Sequence, residues 1–151
     1  MIKIAVLDDD PMYLDKICDI THTAMFQLDL AYELKRYNKV DLFLKDLRAG
    51  GYCDIYLLDV EMPQMNGLEV ARNIRQKYSE PIIIYITNHV DYAVEAFEVK
   101  AYQYILKRQL DERLNETFRR LFLNEANAQE NTMCLNQLPA SSVLHIVIFT
   151  I

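Results

Sequence analysis

The chain repeats one pattern five times: a short apolar run, then a stretch whose apolar residues recur at helical spacing. Ile2 to Leu7 (IKIAVL) is mostly apolar and predicts a strand buried on both faces. Pro11 suits the first turn of a helix, and Leu14, Ile17, Cys18, Thr21, Ala24 and Leu28 give that helix an inward stripe. A weak alternation in AYELKRY predicts a second strand around Leu30 to Arg36. Asn38 is the expected cap of a short helix carrying Val40, Phe43, Leu44 and Leu47, which Gly50 and Gly51 stop. DIYLLDV predicts a third buried strand, MPQMNG a loop, and Leu68, Ala71, Ile74 and Tyr78 the helix after it. Pro81 resets the chain before a fourth strand, IIIYIT. Tyr92 to Val99 then predicts a short helix, AYQYILK a fifth strand, and Leu110 to about Asn124 a longer helix with Leu114, Thr117, Phe118 and Leu121 inward.

Buried strands alternating with amphipathic helices imply an α/β fold, (βα)5 and doubly wound, with a five-stranded parallel sheet covered on both faces. Such sheets place their sites at the carboxyl ends of the strands. The polar residues fall there. The first strand runs into Asp8, Asp9 and Asp10, the third ends at Asp59, the fourth at Thr87 and the fifth at Lys107. Each alone has an ordinary explanation, since aspartates commonly begin loops and a strand-end lysine is usually solvated. A fold that makes all four ends converge turns the set into a candidate site.

Its chemistry is that of oxygen ligands and one ammonium. No nucleophile–histidine–acid set suggests serine- or cysteine-type hydrolysis. Carboxylates of this kind suit a hard divalent ion such as Mg2+, which prefers oxygen ligands and is typically held by one or two carboxylates plus a phosphate. Beside such an ion Asp59 can act as a nucleophile toward phosphorus, with Lys107 spreading charge and the Thr87 hydroxyl donating to an oxygen.

Bulk properties narrow the field further. A length of 151 residues, 52% of them apolar and 25% charged, fits one domain with a real core and a tail. The formal charge of −6 argues against direct nucleic-acid binding by this segment. Cys18, Cys53 and Cys134 are odd in number and lack metal-ligand spacing, which fits reduced thiols in a cytoplasm. The N-terminus reads directly as a strand with no signal peptide, and the longest apolar run, Val143 to Phe149, is too short to span a membrane.

Together LDDDP, LLDVEMPQMNGLEV, IIIYITN and AYQYILK, in this order and spacing, resemble the receiver domain of bacterial two-component response regulators, over roughly Met1 to Leu123. The resemblance implies a flavodoxin-like receiver fold and a non-enzymatic signalling role. Asp59 would be the phosphoacceptor. Asp8, Asp9 and Asp59, with the main-chain carbonyl of Glu61, would hold Mg2+. Thr87 and Tyr104 would form the switch pair, and Pro63 and Gly67 would shape the loop after the acceptor. A sensor histidine kinase would be the donor, and the face of the fourth helix, fifth strand and fifth helix would form a homodimer. The stretch TNHVDYAVEAFEVKAYQYILK further resembles receivers attached to LytTR-type DNA-binding domains, so DNA would be reached only through an output domain.

Some positions depart from that pattern. Arg108 follows Lys107 where the family has proline, so the expectation is a trans bond with a shifted loop, or a strained one. Asn88 stands where a smaller residue is common beside the phosphoryl pocket, His89 reads as a surface histidine, and Glu61 as solvated charge that could tune phosphate lifetime. Asp10 reads as a helix-start residue, Met62 and Met65 as local packing, and Arg119 and Arg120 as a solvated helix face. The receiver is expected over residues 1–124, and residues 125–151 as a linker and the truncated start of an output domain, or as a strand that pairs with a neighbouring chain. Two rivals remain: a haloacid-dehalogenase-type phosphatase, with Glu61 as its second acid, and a degenerate receiver that only binds a partner.

Overall fold

The structure, a computed structural model, describes residues 1–128. The tail expectations, including Cys134 and the apolar run Val143 to Phe149, lie outside the described residues. In chain order the elements are β1 (Ile2–Leu7), α1 (Pro11–Gln27), β2 (Tyr32–Tyr37), α2 (Val40–Arg48), β3 (Ile55–Leu58), α3 (Gly67–Lys77), β4 (Ile82–Thr87), α4 (Ala93–Glu98), β5 (Gln103–Leu106) and α5 (Leu110–Ala128). A 3-10 turn over Lys107–Gln109 joins β5 to α5. All strand pairs are parallel, in the order β2-β1-β3-β4-β5.

The period of two along each strand divides the core between the faces. Ile4, Val6, Ile55, Leu57, Ile84, Ile86 and Ile105 meet Leu14, Ile17, Leu114 and Phe118 of α1 and α5. Ala5, Leu7, Tyr56, Leu58, Ile83, Tyr85, Tyr104 and Leu106 meet α2, α3 and α4 through Phe43, Leu44, Val70, Ala71, Ile74 and Ala96. Strand order reverses between β1 and β3, where open α/β sheets leave a crevice at the strand ends. Asp8 and Asp59 follow those two strands. Outer strand β2 is only half-buried, which accounts for its weak alternation.

Helix starts are locally determined. Pro11 occupies the first turn of α1, and the Asp10 carboxylate accepts from the Met12 N–H at 3.0 Å, as expected of a helix-start residue. The Asn38 expectation is corrected: the cap of α2 is Lys39, in extended conformation and without a side-chain cap bond. The chain enters α2 one residue later, and Val40 packs into the core instead. Helix α5 continues to Ala128, four residues past the expected end at Asn124.

Arg75 ties the far end of the sheet together. Its guanidinium donates to the carbonyls of Ser79 (3.0 Å), Pro81 (2.7 Å), Val99 (2.7 Å) and Lys100 (3.2 Å), which joins the end of α3 to the start of β4 and the end of α4. Planar, forked guanidinium geometry serves several carbonyls at once. Among the described residues no helix is long and apolar enough to cross a membrane.

Candidate functional site

Parallel strands deliver their carboxyl-end residues to one edge of the sheet, and the expected residues meet there. Asp8 and Thr87 are fully buried, while Asp59 and Lys107 are each 5% exposed. Buried ionisable side chains need partners. Lys107 Nζ lies 2.9 Å from Asp8 Oδ2 and donates to Asp59 Oδ2 at 3.3 Å. The other Asp8 oxygen, Oδ1, accepts from the Asp10 N–H at 2.9 Å. One ammonium thus bridges aspartates from two strand ends, although it stands about a hundred residues from Asp8 in sequence.

Burial dominates the acidities. It raises the Asp59 carboxyl to about 6, reinforced by the nearby charge of Asp8 and only partly offset by Lys107. It also raises Asp8 by more than the Asp10 N–H and Lys107 lower it. For Lys107 burial works downward, but its bonds and ion pairs with Asp8 and Asp59 outweigh it and hold the ammonium above its usual value. The site therefore carries excess negative charge that a single lysine relieves incompletely.

A divalent cation fits that excess. Asp8, Asp9 and Asp59 each offer an oxygen, and these oxygens lie within 4.8 Å of one another. Asp9 is exposed, which gives an ion access to two buried carboxylates. Asp8 Oδ2 is buried and faces the Lys107 ammonium at 2.9 Å, and with two lone pairs it retains capacity for a cation. An all-oxygen donor set of this charge suits Mg2+.

Next to these groups lies a cavity of about 190 Å3 lined by Asp9, Asp10, Asp59, Glu61, Thr87, Asn88, His89 and Lys107. Thr87 Oγ1 accepts a long bond, 3.4 Å, from the His89 N–H. The Tyr104 hydroxyl donates to the His89 carbonyl, and its ring is fully buried beside Tyr85, with centroids 6.1 Å apart. The backbone of His89 is therefore bonded to both Thr87 and Tyr104. Gly67 opens α3 by packing onto the backbone that carries Asp59, and its N–H donates to the Val60 carbonyl at 2.8 Å.

Several expectations are sharpened. His89 is half-exposed but pairs with Glu61, Nε2 to Oε2 at 2.7 Å, so neither is merely solvated. Arg120 pairs with Glu116 one turn earlier in α5, at 2.9 Å. Met62 and Met65 pack against the core, as expected. No cis peptide bond occurs among the described residues, and Lys107–Gln109 turns tightly into α5, in line with the trans alternative. One contact was missed: the Tyr13 ring lies under the Lys107 ammonium, 4.4 Å from Nζ to the ring centroid. The available signal was an aromatic residue in the first helical turn after the aspartates.

Known proteins share this arrangement of elements. The family model of the response regulator receiver domain matches residues 4–119. The transcriptional regulatory protein LytR of Staphylococcus aureus is 30% identical over 140 residues, covering 89% of this chain and 55% of LytR. The response regulatory domain of protein mrkE from Klebsiella pneumoniae superposes with a TM-score of 0.72 at 27% identity, covering 82% of this chain and 97% of that one. The response regulator TrrA from Thermotoga maritima, solved in complex with Mg2+ and BeF, gives a TM-score of 0.67 at 28% identity, covering 81% of this chain and 100% of that one. Several curated relatives, LytR among them, are only about half spanned by this chain. Its fold, its strand-end acids and the match across most of its length agree: the chain belongs to the response regulator receiver domain family.

Proposed function

We propose that this chain is a phosphorylation switch in which Asp59 accepts a phosphoryl group from the phosphohistidine of a sensor histidine kinase. The observation that carries the reading is the Lys107 ammonium held between Asp8 and Asp59, beside a cavity open to Asp9 and Thr87. Above about pH 6 the Asp59 carboxylate is ionised and nucleophilic. Its oxygen forms a bond to phosphorus as the nitrogen–phosphorus bond of the donor breaks. The electron pair returns to the imidazole nitrogen, which takes up a proton from water. Lys107 remains within reach of the new charge, and the Thr87 hydroxyl is free to donate to a phosphoryl oxygen. Asp8, Asp9, Asp59 and the Glu61 main-chain carbonyl would hold Mg2+. When bound, that ion neutralises charge on the transferring oxygens.

The output follows from Thr87. A hydroxyl drawn toward a phosphoryl group releases the His89 N–H, and the same residue's carbonyl holds Tyr104. That link biases the face of α4, β5 and α5 between two packings. We take this face as the site of homodimerisation. Relatives named transcriptional regulatory proteins, each longer than this chain, support a cytoplasmic role in transcription. DNA would be contacted through a LytTR-type output domain, with the residues after α5 as linker and its first residues. The same relatives favour a signalling protein over a phosphatase.

Beryllofluoride, a phosphoryl mimic, tests the site without a kinase. Near one hundred times its dissociation constant a ligand adds about 2.7 kcal/mol, here a rise in Tm of roughly 5–10 °C. The rise is expected with Mg2+ and beryllofluoride together, beyond that with Mg2+ alone, and is lost in Asp59→Asn. A wild-type chain with no response to the pair contradicts the proposal and supports a degenerate receiver.

A further inference from the structure

The Lys107 ammonium has three N–H donors on a flexible four-carbon stem. Two directions are taken by Asp8 Oδ2 and Asp59 Oδ2. The Tyr13 ring stands under the ammonium, with Nζ 4.4 Å from its centroid, inside the range of an attractive contact between a cation and an aromatic face. The ring is rigidly placed. Tyr13 is the third residue of α1, whose start is fixed by Pro11 and by the Asp10 cap, and it packs against the apolar cluster on the α1–α5 side of the sheet. Tyr13 itself remains half-buried, while Lys107 is almost fully buried. The ring thus covers the ammonium, yet its face offers no lone pair to compete with a phosphoryl oxygen.

We propose that Tyr13 is a positioning residue: its aromatic face holds the Lys107 ammonium over Asp59 in readiness for phosphoryl transfer. This rests on the reading of Asp59 as phosphoacceptor. A saturated side chain of similar size fills the space but lacks the attraction, leaving the ion pairs with Asp8 and Asp59 alone to place the ammonium. The hydroxyl is not required, so phenylalanine preserves the function.

The test compares the full chain with Tyr13→Leu and Tyr13→Phe, using Mg2+ and a small phosphodonor such as acetyl phosphate. Tyr13→Leu is expected to slow Asp59 labelling roughly three- to thirtyfold, and Tyr13→Phe to keep the wild-type rate. Protons above a ring face are shielded, so the terminal Lys107 side-chain protons are expected upfield in the wild-type NMR spectrum. That shift persists in Tyr13→Phe and disappears in Tyr13→Leu. The wild-type spectrum serves as a check that needs no variant to fold. Tyr13→Leu labelled as fast as wild type, Tyr13→Phe as slow as Tyr13→Leu, or an unshifted wild-type resonance overturns the inference. A wild-type chain that takes no label at Asp59 overturns the phosphoacceptor reading, and the inference falls with it.

Discussion

Gly67→Ala is expected to lower Tm by about 6–12 °C, the cost of overpacking by roughly 3 kcal/mol. A Cβ on Gly67 would lie 2.0 Å from the Asp59 carbonyl oxygen, 2.9 Å from its carbon and 3.0 Å from Val60 Cα. These are backbone atoms and cannot rotate away. The Gly67 N–H is bonded to the Val60 carbonyl, and the Gly67 carbonyl accepts from the Tyr85 hydroxyl at 3.2 Å. Helix α3 therefore cannot retreat without breaking contacts on both sides. Because the clash falls on the residue that carries the acceptor, labelling of Asp59 should fall with stability. Gly50→Ala is the control: Gly50 has φ of 89° and open space around it, so alanine there costs about 1–2 kcal/mol and leaves labelling unchanged. Thermal unfolding of the two variants checks the comparison. Equal effects would mean that close approach at Gly67 is unimportant.

Lys107→Met should produce the second large effect, and its size should depend on the cation. Removing one partner of a buried ion pair leaves a charge uncompensated, which costs about 3–5 kcal/mol. Here two carboxylates lose their ammonium together. With a chelator present at pH 7.5 the variant is expected to unfold at clearly lower urea. The deficit narrows as pH falls toward about 6, because carboxylates that have lost the ammonium take up protons at higher pH than in the wild type. Mg2+ supplies the missing positive charge, so it should stabilise Lys107→Met more than wild type. Urea midpoints with chelator and with Mg2+ measure this directly. Equal midpoints in chelator, or an equal gain from Mg2+ in both, would contradict the electrostatic account of the site.

The legible part of this protein was the part fixed by local pattern. Apolar runs such as IKIAVL and IIIYIT marked β1 and β4, and the parallel connectivity implied by alternating helices placed Asp8, Asp59, Thr87 and Lys107 on one edge. Asp10 was readable because capping depends on the next two residues. Asn38 misled for the same local reason: it has the preferred cap chemistry, but burial of Val40 fixed the helix start at Lys39 instead. The role of Gly67 was visible as a need for glycine, whereas its cause, direct contact with the Asp59 backbone, is tertiary. The four-carbonyl clamp of Arg75, the Glu61–His89 pair and the Tyr13–Lys107 contact each depend on how separate elements dock. No periodicity along the chain encodes such contacts.

The central claim is that Asp59 is a phosphoacceptor, and mass spectrometry of the chain after incubation with Mg2+ and acetyl phosphate tests it most directly. The account predicts one phosphoryl group per chain, stable in acid and labile in alkali, located by peptide mapping to Asp59 and absent from Asp59→Asn. Label that persists in Asp59→Asn, or that maps to another residue of the wild-type chain, would contradict it.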